Sequence, residues 1–179
     1  DFKRAQKVDY YVVNSKNVGR RLEKFYRRAD YQVIYPPVDV EKMRDPNIKP
    51  MRENYFFTGG RFVASKNFDL IIKAFNKLGL SLKIFGHGIG ENYLKSIAHG
   101  NIEFLGRISH DDLVSYYKGA QAFILAQKDE DFGITAIEAA AAGCPSIAYR
   151  GGGTAEAIVE GKTGIFYDEL DAESLIKAI

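Results

Sequence analysis

The run Lys128-Asp129-Glu130-Asp131-Phe132-Gly133-Ile134-Thr135-Ala136-Ile137-Glu138-Ala139-Ala140-Ala141-Ala142-Gly143-Cys144-Pro145 decides how the rest of the sequence is read. Before it lies an apolar run, Ala122-Phe123-Ile124-Leu125-Ala126, with the look of a buried parallel strand. The chain then turns through three acids and enters a short helix at about Gly133. That places the turn at the carboxyl end of a strand, where open α/β sheets bind ligands. The amides of Phe132, Gly133 and Ile134 would leave a helix N-terminus as anion donors, and Gly133 lets a phosphate approach. Glu130 precedes the helix and Glu138 lies inside it, so both carboxylates can accept hydrogen bonds from the hydroxyls of a sugar. Taken alone, acids near a helix start are ordinary dipole compensation. Asp129-Glu130-Asp131 also has the form of an acidic metal motif, but a hard cation needs further oxygen ligands and none stand nearby in sequence.

Outward from this run, strands and helices alternate at intervals of about twenty residues, the mark of right-handed crossovers in a parallel sheet. Strands are expected at Tyr55–Thr58, Ser81–Phe85, Ile102–Leu105, Ala122–Ala126, Ser146–Tyr149 and Gly164–Tyr167. Helices are expected from Asn67 as a cap to Gly79 as a stop, over Glu91–Ala98, from Ser109 to Tyr117, over Thr154–Val159 and from Ala172 to the end. The fold class is α/β, a doubly wound parallel sheet covered on both faces. Upstream, a strand over Val8–Val13, a helix over Lys16–Arg28 and a strand over Gln32–Tyr35 form a piece too small for a core of its own. Pro36-Pro37 opens a stretch read as a linker to residue 52. The domains are thus residues 1–35, the linker 36–52 and the main unit 53–179.

The 179 residues are 46% hydrophobic and 27% charged, which suits a globular chain with a substantial core. No apolar run approaches the roughly 18 residues of a membrane span, and Asp1-Phe2-Lys3-Arg4 lacks a secretory signal's apolar block. One cysteine excludes an internal disulfide and fits a reducing cytoplasm; Cys144, between Gly143 and Pro145, reads as a packed thiol. The net charge of +2 is uneven: residues 1–35 carry nine basic side chains against four acids. No nucleic-acid motif accompanies them, so no nucleic-acid partner is expected. A solvated face is the default, with contact to anionic lipid headgroups the alternative.

Arg61 and Lys66 straddle the loop after the first strand of the main unit, and both can reach the same sheet edge as the amides after Phe132. A guanidinium fork and a mobile ammonium beside a helix N-terminus form a plausible clamp for a diphosphate. Gly86-His87-Gly88-Ile89-Gly90 lacks the dinucleotide spacing, and a neutral turn histidine is its default reading. Without that fingerprint, a dinucleotide oxidoreductase is disfavoured.

Six motifs then occur in order: Gly59-Gly60-Arg61-x4-Lys66-Asn67, Phe104-Leu105-Gly106-Arg107-Ile108, Glu130-x7-Glu138 around Phe132-Gly133-Ile134, Ala141-Ala142-Gly143-x-Pro145, Gly152-Gly153-x2-Glu156 and Gly161-x-Thr163-Gly164. Together they resemble the donor half of glycosyltransferase family 4, the retaining group with the GT-B fold. Residues 1–35 are similar to the last strand-helix of that family's acceptor-side domain, followed by its interdomain linker. The resemblance implies a donor-binding fragment, with the acceptor domain and a closing C-terminal helix missing, and no turnover from this chain alone.

It further implies roles. Arg61 and Lys66 match the cations that neutralise the diphosphate of a sugar nucleotide, with Gly60 beside them. Glu138 matches the acceptor of the ribose hydroxyls and Glu130 the acid that holds the transferred sugar. The amides of Phe132, Gly133 and Ile134 match those on sugar and phosphate, and Arg107 and Ile108 the segment beside the base. Transfer is expected with retention and without a metal or other cofactor. The double proline and the Glu130–Thr135 variant look most like mannosyltransferases that use GDP-mannose in surface-polysaccharide assembly. Cytoplasmic placement, with peripheral membrane contact through the basic helix, is the corresponding expectation. A non-catalytic sugar-nucleotide-binding module is the alternative.

Overall fold

The computed structural model describes residues 1–51 and 53–179; Arg52, the last residue of the expected linker, lies outside them. In chain order the elements are α1 (Phe2–Ala5), β1 (Tyr11–Val13), α2 (Lys16–Tyr26), β2 (Tyr31–Val33), α3 (Val40–Arg44), β3 (Phe56–Arg61) and α4 (Phe68–Leu78). They continue as β4 (Leu82–His87), α5 (Glu91–Ile97), β5 (Ile102–Gly106), α6 (His110–Gly119), β6 (Phe123–Leu125), α7 (Ile134–Ala141), β7 (Ser146–Tyr149), α8 (Thr154–Ala157), β8 (Gly164–Tyr167) and α9 (Ala172–Ala178).

Six strands form one sheet in the order β5-β4-β3-β6-β7-β8, every pair parallel. The chain winds outward from β3 in one direction, returns to the other side at β6, and winds outward again. The switch point therefore lies between β3 and β6, and the crevice outside their carboxyl ends is the expected place for a ligand. Pairing at this seam is sparse: Phe57 opposes Phe123, and the Thr58 hydroxyl donates to the Ile124 carbonyl at 2.8 Å.

Side chains that alternate along the strands build two cores, one on each face. Phe56, Ile84, Ile124 and Ile147 pack with Ile71, Ile72 and Phe75 of α4, Leu94 of α5 and Leu175 of α9. Phe57, Phe123, Leu125 and Ala148 pack with Val114 and Tyr117 of α6 and Ala136 and Ala139 of α7. Each fully buried aliphatic or aromatic side chain contributes about 1.5–3 kcal/mol, so both layers are firmly seated. Cys144 belongs to the second core, and burial pushes its thiol up to about 12, as a packed thiol requires.

Upstream, β1 and β2 form a separate parallel pair. The strand expected from Val8 begins only at Tyr11, because β2 offers partners from Tyr31 onward. The stretch read as a linker carries α3, whose Met43 is buried in the second core. Lys118 of α6 donates to the Ile48 carbonyl at 3.0 Å and Ser115 to the Lys49 carbonyl at 2.8 Å. Among the described residues no helix is long and apolar enough to cross a membrane.

Candidate functional site

β3 ends in Gly59-Gly60-Arg61, and the register sets Gly60 beside Gly86 and Arg61 beside His87 of β4. The two strands come so close here that a Cβ on Gly86 would lie 1.9 Å from the Gly60 carbonyl oxygen, so a side chain there would force them apart. Beyond this contact opens a cavity of about 520 Å³ lined by Gly60, Arg61, His87, Arg107, Ile108 and His110, among others. Arg107, just after β5, points one guanidinium nitrogen at His87 Nε2, 2.7 Å away. Arginine has no acceptor, so that imidazole nitrogen is the unprotonated one. Two guanidinium groups thus border one open hollow. A hollow of about 460 Å³ lined by Phe62, Phe68, Asp69, Ile89 and Tyr93, among others, has no cation in its lining.

The β3–α4 loop is bound to the β6–α7 loop across the switch point. Lys66 Nζ lies 2.6 Å from Glu130 Oε2, with both side chains about 25% exposed. Next to it, the Asn67 side-chain amide donates to the Ala126 carbonyl at 2.7 Å. Asn67 was expected to cap α4 with its side chain. It occupies the cap position in the left-handed conformation, φ 50°, and makes no cap bond, because its amide group reaches Ala126, just past β6, instead. Ser109, by contrast, caps α6 as expected, accepting from the Asp112 amide.

The acidic run does not converge on one point. Glu130 turns to Lys66, and Asp131 pairs with Arg21 of α2 at 2.7 Å. Among the described residues, no three acids, histidines or cysteines come together as a cation site. Gly133 stands at the head of α7 with φ 94°, a conformation that L side chains rarely adopt. Among the described residues the amides of Phe132, Gly133 and Ile134 donate to no protein acceptor, as the first amides of a helix do. Phe132's own ring does not join the cavity: it is buried and stacks on Tyr35, centroids 5.1 Å apart.

Glu138 lies one turn into α7. Burial holds its carboxyl above the ordinary range, and the charge of His110 partly opposes that shift. His110 in turn lines the cavity of Arg61 and Arg107, while Glu138 itself is not in that lining. Tyr117 beneath has a buried hydroxyl with no partner among the described residues.

The expected residues therefore fall into two adjoining groups. Gly60, Arg61, Arg107 and Ile108 share one cavity, and Glu138, inside α7, does not line it. Lys66 and Glu130 form the second group, beside the amides of Phe132, Gly133 and Ile134. The sequence reading gave no part to His110, to Asn67's cross-strand bond, or to Tyr35. Helix-cap spacing at Ser109 was the one available pointer to His110, as the first residue of α6.

The chain is 30% identical to mannosylfructose-phosphate synthase of Agrobacterium fabrum over 176 residues, covering 83% of this chain and 39% of that protein. It is 26% identical to a GDP-mannose-dependent phosphatidylinositol monomannoside mannosyltransferase of Mycobacterium tuberculosis, covering 93% of this chain and 50% of that one. Among solved structures, sucrose-phosphate synthase from Thermosynechococcus elongatus superposes with a TM-score of 0.81 at 23% identity, over 96% of this chain and 48% of the other. Anabaena HepE, solved with UDP and glucose, superposes with a TM-score of 0.77 at 17% identity, over 93% and 51%. The chain thus spans between 39% and 51% of the length of these relatives. The fold is the Rossmann-like half of GT-B glycosyltransferases. The family model described as "Glycosyl transferases group 1" matches residues 39–179, and the chain belongs to that family.

Proposed function

We propose that this chain is the donor-binding half of a retaining glycosyltransferase that takes a nucleoside diphosphate sugar. The observation that carries the reading is a pair of cation groups at the carboxyl edge of the sheet: Arg61 with Arg107 around the cavity at the ends of β3, β4 and β5, and Lys66 on Glu130 across the switch point beside unpaired amides. In this reading the base and ribose occupy the cavity, with Arg107 and Ile108 beside the base and Glu138 accepting the ribose hydroxyls. The diphosphate lies toward Arg61 and Lys66, and the sugar toward Glu130 and the amides of Phe132, Gly133 and Ile134.

The free-state pairing of Lys66 with Glu130 gives a simple order of events. A diphosphate carries more negative charge than one carboxylate, so it draws Lys66 away and leaves Glu130 free to accept from sugar hydroxyls. When the glycosidic bond breaks, negative charge grows on the departing diphosphate, where Arg61, Lys66 and the helix amides stand ready. Pre-set charge of this kind is a leading catalytic term. In this reading the positive charge comes from side chains rather than a metal. The two glutamates are binders, since a glycosidase pair would flank the bond from both sides.

The donor proposed is GDP-mannose, with transfer to a growing surface polysaccharide or lipid-linked glycan. It is supported by the Pro36-Pro37 segment, by Glu130–Thr135, and by similarity to a mannosyltransferase that uses GDP-mannose. Cytoplasmic placement against the inner membrane face, through exposed Lys16, Arg20 and Lys24 of α2, belongs to the same proposal. The acceptor would be held by a domain outside this chain. The test is sugar transfer by the longer protein from GDP-, UDP- and ADP-sugars, with the anomer of the product assigned by NMR. Retained configuration with GDP-mannose is expected; inversion overturns the mechanism, and transfer from no donor favours the binding module.

A further inference from the structure

Glu156, in the motif Gly152-Gly153-x2-Glu156, has no part in donor binding as proposed above, yet its carboxylate is fully engaged. Oε2 accepts from the Lys16 amide at 2.9 Å and from the Tyr35 hydroxyl at 3.2 Å, and Oε1 accepts from the Asn17 amide at 2.7 Å. These are the first two amides of α2, which a helix leaves unpaired, and an anion there also gains from the helix dipole. The third, Val18, donates to Ser15 Oγ at 3.0 Å.

The same end of α2 grips the loop that carries Glu130. Ser15 is fully buried; its hydroxyl accepts from Val18 and donates to the Asp131 carbonyl at 2.5 Å. Asn17 donates to the Glu130 carbonyl at 3.4 Å, Arg21 pairs with Asp131, and Tyr35 stacks on Phe132. From the other side the Gly153 amide donates to the Glu130 carbonyl at 2.6 Å. A Cβ on Gly153 would lie 2.1 Å from the Asp131 carbonyl oxygen, so this approach depends on glycine. Residues 130–132 are thus held between the upstream strand-helix and α8, and Glu156 joins those two holders to each other.

The geometry points to Glu156 as a positioning residue for the donor loop. It touches no donor atom; by seating the N-terminus of α2 it sets where Glu130 and the amides after it stand. This rests on the donor-site reading for its ligand consequence, but not for its mechanical one. The upstream strand-helix is then a wall of the donor site, and any shift of residues 1–35 reaches the sugar end of the site before the nucleoside end.

The test compares the wild-type chain with Glu156→Gln and Ser15→Ala, by amide exchange in the free chain and by calorimetry with GDP and GDP-mannose. Glutamine keeps the size but turns an NH2 group toward an amide that needs an acceptor. Ser15→Ala removes the bond to Asp131 by a separate route, should Glu156→Gln not fold. Exchange should rise about fivefold at Lys16 and Asn17 in Glu156→Gln, and at Val18 in Ser15→Ala, the size of one lost helix cap. Gly153 and Ala136, whose acceptors lie in the loop, should rise with them, while β4 stays unchanged. Affinity for GDP-mannose should fall about fivefold with affinity for GDP held within about twofold, the mark of a displaced Glu130. Acceleration confined to Lys16, Asn17 and Val18, or equal losses for both ligands, overturns the proposal and leaves Glu156 a helix cap. A wild-type chain that binds neither ligand sinks the donor reading instead, and the exchange at Gly153 and Ala136 still decides the role of Glu156.

Discussion

Lys66 and Glu130 meet at 2.6 Å across the switch point of the sheet, each held about three-quarters away from solvent. One arrives from the loop after β3 and the other from the loop after β6, 64 residues later. The contact closes the free site with a pair of groups that the ligand must separate, so charge changes here carry opposite signs for different parts of the donor.

Glu130→Gln removes the carboxylate that competes for Lys66. It should bind a nucleoside diphosphate about three- to tenfold more tightly than wild type, and the corresponding nucleotide sugar more weakly. Lys66→Ala should weaken both. A Glu130→Gln variant with lower affinity for the bare diphosphate would contradict the exchange of partners.

Burial raises the Glu138 carboxyl above its unfolded value. Its contribution to stability is therefore complete below about pH 4 and declines as pH rises through the folded value. Above the folded value the ionised carboxylate is a net cost to the fold, accepted in this account because it receives the ribose hydroxyls. Glu138→Gln should raise the melting temperature at about pH 7, the gain should vanish near about pH 4, and nucleoside binding should weaken. Scanning calorimetry across pH with parallel titrations checks all three.

Gly133 holds φ 94°, and a Cβ there would come within 3.2 Å of the Thr154 Cα. Gly133→Ala should destabilise the chain by about 1–2 kcal/mol in urea denaturation. It should also weaken nucleotide-sugar binding, since the amides after Phe132 must move. Unchanged stability would mean that the loop relaxes without cost.

Much of this was legible in the letters, and the failures have physical causes. Ser146–Tyr149 and Gly164–Tyr167 are strands to the residue, because short apolar runs bounded by Pro145 and by glycines leave little freedom. Val8–Tyr10, interrupted by Asp9, reads as the start of the next strand's pattern, yet pairing with β2 starts only at Tyr11. Gly59-Gly60 read as the end of a strand, while β3 runs through them to Arg61 because β4 crowds alongside. Asn67 carried the right letter for a cap, but its left-handed backbone sends the side chain to Ala126. At the site, residue types were visible and partners were not. Local spacing cannot show that Lys66 faces Glu130, that Phe132 lies under Tyr35, or that Glu156 caps a helix 140 residues upstream.

The measurement closest to the central claim is a calorimetric titration of the chain with GDP, UDP and ADP, their sugars, and the bare nucleosides, repeated on Arg61→Ala with Lys66→Ala. The account predicts that the wild type binds a nucleoside diphosphate, and that the double variant loses at least about tenfold for it while the nucleoside changes little. Equal losses for diphosphate and nucleoside, or a wild type that binds no nucleotide at all, would contradict it.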